Sequence, residues 1–446
     1  MLQQVVEAIP DFKALPAFDE LHARTQALKL RGDAAVSVRT LGHSESGMPI
    51  ELVSIGAGPL SVLLVGAPHP NEPVGCLTIE FLIDHLLRDP DFLEATGCSW
   101  HFIKAIEPDA LRMNEGWFKH PGDPVAYLRH FYRPALADQA EYGFPLSMPG
   151  YHFEASKPEN LAYQEAIKLT QPDLLFSLHN AEFGGVFYLI THDVNGLCAE
   201  LAVQPPTFGL TLDEIGEPTA QGQTFAPGVF ESPNTRKFAA AAGFYNAGQS
   251  AFDHAKEAHG TLGLMAEIPY WQPKRTGASA EERTVAEIFA PLVAQIQAVQ
   301  QLAARHQAVH EQLVSPTEVR LSRAIQENLT FLQMYRDMYS NLPEGKYSPG
   351  DAAVHSQAMG LLTLRPVSML ARLSALLLAR RGEDAALKAA RDEVSAFLDV
   401  ASRAVGDMEV VPLRTTVAVQ VVAALSAARA LSRKAAAAPV TPNQPG

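Results

Sequence analysis

The chain has 446 residues, 47% of them hydrophobic, and a formal net charge of -14. That length admits two or three domains and a sizeable buried core. The acidic balance argues against a nucleic-acid partner, because phosphate contacts need clustered Lys and Arg, and it leaves the substrate open.

Three cysteines, Cys76, Cys98 and Cys198, are widely spread. They form no CxxC pair and no disulfide framework, which fits a reducing cytoplasm. Residues 1–29 lack the basic start and apolar stretch of a signal peptide. No segment is expected to supply the roughly 20 apolar residues that span a bilayer. An unprocessed cytoplasmic protein with no membrane contact is the expectation.

In chain order, the first half mixes short apolar runs with helical patterns and loops rich in Pro and Gly. Residues 50–55, 61–65, 100–106, 174–178, 186–190 and 262–266 read as strands. Several are continuous apolar runs, as expected of strands covered on both faces. Residues 73–88 read as a helix, with Val74, Leu77, Phe81 and Leu82 at helical spacing and Pro73 suited to a first turn. This alternation predicts an α/β fold with a mixed central sheet flanked by helices.

Beyond residue 279 the texture changes to Ala, Leu, Glu, Arg and Gln. Helices are predicted over 281–312, 316–340, 349–381, 383–405 and 412–437. The organisation expected is a catalytic domain over 1–278, an all-helical C-terminal extension over 279–438, and a disordered Pro-rich tail over 439–446. The extension carries no readable chemistry. A dimer interface, a lid and a buttress are all open to it.

The sharpest signal is Gly66-Ala67-Pro68-His69-Pro70-Asn71-Glu72, between an apolar strand and an amphipathic helix. Ligands bind at the carboxyl ends of strands in open α/β sheets. His and Glu three apart, with Pro fixing the chain between them, can aim an imidazole and a carboxylate at one point. Zn2+ accepts both, and three protein ligands leave a position for water. His179, directly after the run 174–178, can supply a third ligand. Glu267, closing the run 262–266, can supply a general base. A carboxylate buried there needs a metal or a cation beside it.

These residues resemble the zinc carboxypeptidase family, the carboxypeptidase A-like metallopeptidases, over about residues 37–271. The entry segment Arg39-Thr40-Leu41-Gly42 through Ser46-Gly47 and Ile50 is also similar to that family's start. The resemblance implies a carboxypeptidase-like fold and one zinc per chain, held by His69, Glu72 and His179. It implies Glu267 as general base toward a metal-activated water, with the C-terminal peptide bond as the bond cut. The segment 245–253 resembles the family's mobile capping loop. Tyr245 stands at the family's interval from Glu267 and would cover the substrate's terminal carboxylate. Phe252 would line the side-chain pocket, and an aromatic there argues against basic C-terminal residues. Glu107-Pro108-Asp109 with Arg112 downstream resembles the family's Asn-Pro-Asp-Gly segment, which makes Arg112 the expected oxyanion partner. His130-Phe131-Tyr132-Arg133 falls where the family carries Asp-x-Asn-Arg. Arg133 keeps the arginine that grips the substrate carboxylate, with Arg129 as a nearby competitor. Tyr132 replaces an Asn, and His130 replaces the Asp that would orient a metal-binding His.

The substrate expected is a peptide or an N-acyl amino acid with a free carboxylate. The second alternative belongs to zinc amidohydrolases of the aspartoacylase and succinylglutamate desuccinylase branch, and the Tyr245 loop favours the peptidase. An inactive binding or scaffold protein with this fold is a third reading, opposed by the presence of all four core residues. Serine hydrolase chemistry fits poorly, since Gly42-His43-Ser44-Glu45-Ser46 lacks the second Gly of a nucleophile elbow. The dinucleotide-like start Gly56-Ala57-Gly58 has Ser61 where the third Gly belongs.

Overall fold

A computed structural model describes residues 2–214, 222–242, 245–274, 282–382, 384–404 and 408–437. The expected tail and the expected boundary at 278/279 lie outside the described residues. Nine strands form one mixed sheet: β1 (Val36–His43), β2 (Pro49–Ile55), β3 (Leu60–Gly66), β4 (Cys98–Ile103), β5 (Leu174–Leu178), β6 (Phe187–Ile190), β7 (Thr224–Ala226), β8 (Val229–Glu231) and β9 (Leu262–Glu267). Their order is β1-β2-β4-β3-β5-β9-β6-β8-β7. The parallel centre is β4-β3-β5-β9. All six predicted strands are in this sheet. Edge strand β1 has no fully buried residue, so its sequence carries little apolar signal.

The helices that matter for the site are α1 (Phe18–Arg31), α2 (Val74–Arg88), α3 (Pro158–Thr170), α4 (Leu197–Thr207) and α5 (Ala251–His259). The second half adds α6 (Val285–Arg305), α7 (Pro316–Ser340), α8 (Pro349–Arg381), α9 (Ala385–Ala404) and α10 (Leu413–Ala437). Thr284 with Glu287, and Ser315 with Glu318, form capping boxes that start α6 and α7.

The strands alternate their side chains between two cores. Leu63, Val65, Leu175 and Met265 pack with Tyr163 and Ala166 of α3 and Phe252 of α5. Val62, Leu64, Phe176 and Leu264 face the other way, into a larger core shared with α2 and with α6 to α10. The helical second half therefore does not stand apart as an appendage. Helix α10 packs on α2, β3, β5 and α4, and residues 417–428 are buried on every side. Helix α10 of the extension expected over 279–438 shares with α2 the layer that covers one face of the sheet.

Two segments correct the expectation about apolar length. Residues 354–381 and 413–433 are long and apolar enough, by length and composition, to cross a membrane. Of their apolar windows, 61% and 78% are buried inside the structure.

Helix α3 opens on a buried carboxylate. Glu159 is 1% exposed. Burial pushes its carboxyl up to about 7, with Glu107 adding to the rise and Lys157 opposing it. A carboxyl raised from 4.5 to about 7 on folding makes the folded state bind more protons in that window, so its stabilising effect fades as pH climbs from 4.5 through 7. Glu159→Gln should flatten this loss and make the chain more stable than wild type at pH 8, by roughly 3 kcal/mol. Denaturant melts at pH 5 and pH 8 check it. Equal pH dependence in both chains would refute it.

Candidate metal centre

Strands β3, β5 and β9 lie side by side and parallel. Gly66 stands opposite Leu178, and Leu178 opposite Ala266. The loop after β3, the first residue after β5 and the last residue of β9 therefore emerge in one row. Ala67 takes a left-handed backbone, φ 47°, as the chain turns off β3. Gly75, in the first turn of α2, allows that helix to lie directly on the end of β5. A Cβ at Gly75 would sit 2.5 Å from the Cβ of Leu178. That close approach brings Glu72 to His179.

Both imidazoles present their two nitrogens to different carboxylates. His69 Nδ1 lies 3.2 Å from each Glu72 oxygen, and its Nε2 lies 3.8 Å from Glu141 Oε2. His179 Nδ1 lies 2.8 Å from Glu72 Oε2 and 3.8 Å from Glu267 Oε1. Its Nε2 lies 3.1 Å from Glu141 Oε2. The Asn180 backbone N–H donates to Glu72 Oε2 at 3.2 Å. His69, Glu72, Glu141, His179 and Glu267 are all buried. Arg133 joins the cluster with its side chain 23% exposed. Its Nη1 donates to Glu72 Oε1 at 3.1 Å, and its Nη2 lies 2.6 and 2.8 Å from the two ring nitrogens of His69.

Glu141 is the functional candidate that the sequence reading missed. It sits on a single 3-10 turn, Ala140–Tyr142, and accepts from the Ser177 hydroxyl. It faces the histidines from the side opposite Glu72, where a carboxylate fixes which nitrogen stays free for a ligand. Nothing in its flanking residues repeats or forms a motif. Only the fold brings it near.

Burial pushes His69 down to about 4, with the Arg133 charge adding to the drop. Its ring is neutral near pH 7, with a lone pair to offer. Burial also pulls His179 down, but Glu141 and Glu72 together outweigh it and hold its proton well above the usual range. Burial alone would raise Glu72, yet His69, Arg133 and His179 keep it ionised well below the ordinary carboxylate range.

This donor set fits a metal ion. The described residues give two buried groups whose ligand atoms lie within 4.8 Å of one another: His69, Glu141 and His179, and Glu72, His179 and Glu267. The expected set of His69, Glu72 and His179 is divided between them, with His179 shared. Glu72 lies 2.8 to 3.2 Å from the two Nδ1 atoms. Ligands around a tetrahedral ion with bonds of about 2.1 Å stand at comparable spacing, roughly 3.4 Å. Glu141 Oε2 is buried and accepts no well-aligned hydrogen bond among the described residues. A divalent cation would balance this excess of carboxylates.

The other expected site residues are placed differently. Arg112 pairs with Asp19 of α1, lies 5.7 Å from the centre of the Phe18 ring, and no described contact joins it to the cluster. The Tyr132 ring belongs to the large core, while its backbone N–H donates to Asn114 Oδ1 at 3.1 Å. Phe252 is packed in the smaller core, so close to β9 that a Cβ at Gly263 would lie 2.8 Å from its ring. The Tyr245 hydroxyl donates to the Gly248 carbonyl at 2.6 Å. Arg129 pairs with Asp399 of α9 at 2.8 Å. His130 packs against Gly116, and its carbonyl accepts from Arg372 at 2.8 Å.

No protein-family model matches the sequence, and no curated protein matches it. Among solved structures the chain is similar to metallopeptidases and metallo-carboxypeptidases. With carboxypeptidase A of Helicoverpa armigera it shares 15% identity over 61% of this chain and 71% of the other, at a TM-score of 0.41. With a metallo-carboxypeptidase of Burkholderia cenocepacia it shares 16% over 57% and 60%, at 0.37. With a metallo-carboxypeptidase of Pseudomonas aeruginosa it shares 20% over 57% and 60%, at 0.35.

Proposed function

We propose that this chain is a zinc-dependent hydrolase that cuts the C-terminal amide bond of peptides, one zinc per chain. The observation that supports the reading is that His69, Glu72, His179 and Glu267 stand buried at three adjacent parallel strand ends, with Glu72, His179 and Glu267 in one ligand-distance group and His69 joined to His179 in a second. On this reading His69, Glu72 and His179 would hold the ion, and Glu141 would fix the histidines from behind. The ion, when bound, supplies Lewis-acid polarisation of the scissile carbonyl and a lowered pKa for water.

Glu267 Oε1 takes the proton from the attacking water and returns it to the leaving nitrogen as the C–N bond breaks. The Asn180 backbone N–H steadies Glu72. Arg133, the most exposed member of the cluster, turns its fork from Glu72 to the substrate's free carboxylate, a bidentate contact that suits a guanidinium. Tyr245 sits on the loop assigned to cover that carboxylate. Buried surroundings strengthen each of these contacts.

Purified protein with zinc should hydrolyse N-blocked dipeptides. N-acyl amino acids assayed in parallel separate this reading from a deacylase. Turnover of the acyl substrates alone would move the assignment to the amidohydrolase reading. Turnover of neither set, across a peptide library read by mass spectrometry, would count against a hydrolase.

A further inference from the structure

The sheet and its loops hold every residue assigned to the metal and to the chemistry, yet the helical half reaches both metal loops from behind. Arg365 of α8 donates from Nε to Glu182 Oε1 at 3.0 Å, and its Nη2 contacts both oxygens of that carboxylate. Glu182 lies three residues after His179. Its Oε1 also accepts from the Tyr127 hydroxyl at 2.7 Å. The Tyr127 oxygen in turn accepts from Asn71 Nδ2 at 3.1 Å. Asn71 is the residue before Glu72, and its carbonyl accepts from Tyr270 at 3.0 Å. The chain of contacts is largely buried, with Asn71 and Tyr127 wholly so and Arg365 and Glu182 each 13% exposed at the side chain.

Two further contacts tie the same helical half to the centre. Arg372, two turns along α8 from Arg365, donates to the carbonyls of Phe131 and Met113 at 3.0 and 2.7 Å. It thereby holds the segment that leads to Arg133. Gln420 of α10 donates to the His179 carbonyl at 3.1 Å and accepts from Thr78 of α2.

We infer that Arg365 is a positioning residue for the metal centre, acting through Glu182, Tyr127 and Asn71 on the loop that carries His69 and Glu72. The inference rests on the reading of that cluster as a metal site. Its physical basis is that a ligand loop binds tightly only when its own polar groups are fixed; partners bonded directly to a ligand change metal affinity by about 10- to 100-fold, and Arg365 acts further out, through three intervening residues. Arg365 is suited to the task because its planar fork fixes the Glu182 carboxylate in one orientation.

The test is a double-mutant cycle on the full-length chain, read as zinc affinity by competition with a chromophoric chelator. Arg365→Met and Tyr127→Phe should each weaken zinc by about three- to tenfold, below the range for direct partners of a ligand. The double variant should be little worse than the weaker single, because both break one chain of contacts. Arg365→Lys keeps the charge without the fork. It should recover part of the affinity, and it takes the place of Arg365→Met in the cycle if that variant does not fold. A purely structural role would lower melting temperature with and without zinc alike and leave the two affinity losses uncoupled. Wild-type affinity in a folded Arg365→Met variant, or full additivity of the losses, would overturn the inference while leaving the metal reading intact. A wild-type chain that takes up no zinc would overturn both.

Discussion

Glu267→Gln is expected to reduce turnover by about a thousandfold or more while zinc remains bound. General-base assistance contributes about 10²- to 10⁴-fold, and the amide that replaces the carboxylate cannot take up the proton. The substitution keeps size and shape at the end of β9, so the fold should be untouched. It also separates two roles for this residue. Glu267 Oε1 stands 3.8 Å from His179 Nδ1, inside one of the two candidate ligand groups. A ligand lost to Gln would weaken zinc, whereas a base lost to Gln would leave zinc affinity near wild type. Steady-state kinetics with zinc binding on the same preparation decides between them. Retained turnover would remove Glu267 from the mechanism.

A chain ended at Lys274 is expected not to fold. Helix α10 places Val417, Val419, Val421, Val422 and Leu425, each at most 8% exposed, in the layer against α2 and the sheet. Burying a side chain of this kind contributes about 1.5–3 kcal/mol. Five of them already match the roughly 5–15 kcal/mol by which a whole domain is stable. Removing α6 to α10 would also leave Glu182 without Arg365 and the His179 carbonyl without Gln420. The shortened chain should lack a cooperative thermal transition by circular dichroism and should aggregate in sedimentation runs. A soluble fragment that melts cooperatively would show that the sheet carries its own sufficient core.

The same helix shows where sequence reasoning stopped. Its position in the chain, after a change of composition, suggested an addition to a finished domain. Its composition pointed elsewhere: Val417-Ala418-Val419-Gln420-Val421-Val422-Ala423-Ala424 is apolar nearly all round, and a helix without a polar face belongs inside. The strands were legible because a parallel strand covered on both faces is a continuous apolar run, as in Leu174-Leu175-Phe176. His69, Glu72, His179 and Glu267 could be read because each ends or follows such a run. Glu141 could not, since an irregular turn delivers it and no period marks it. Phe252 is a case where the fold adds what the sequence does not carry. The resemblance implied that it lines a side-chain pocket, and in the structure the ring packs in the smaller core beneath β9.

Every role assigned to these residues depends on the ion. Elemental analysis of purified wild type, of Glu267→Gln and of His179→Ala, each dialysed against dilute zinc and then buffer, tests it most directly. One zinc per chain in the first two and none in the third is the result expected. A wild-type chain that retains no zinc, or a His179→Ala chain that retains as much, would contradict it.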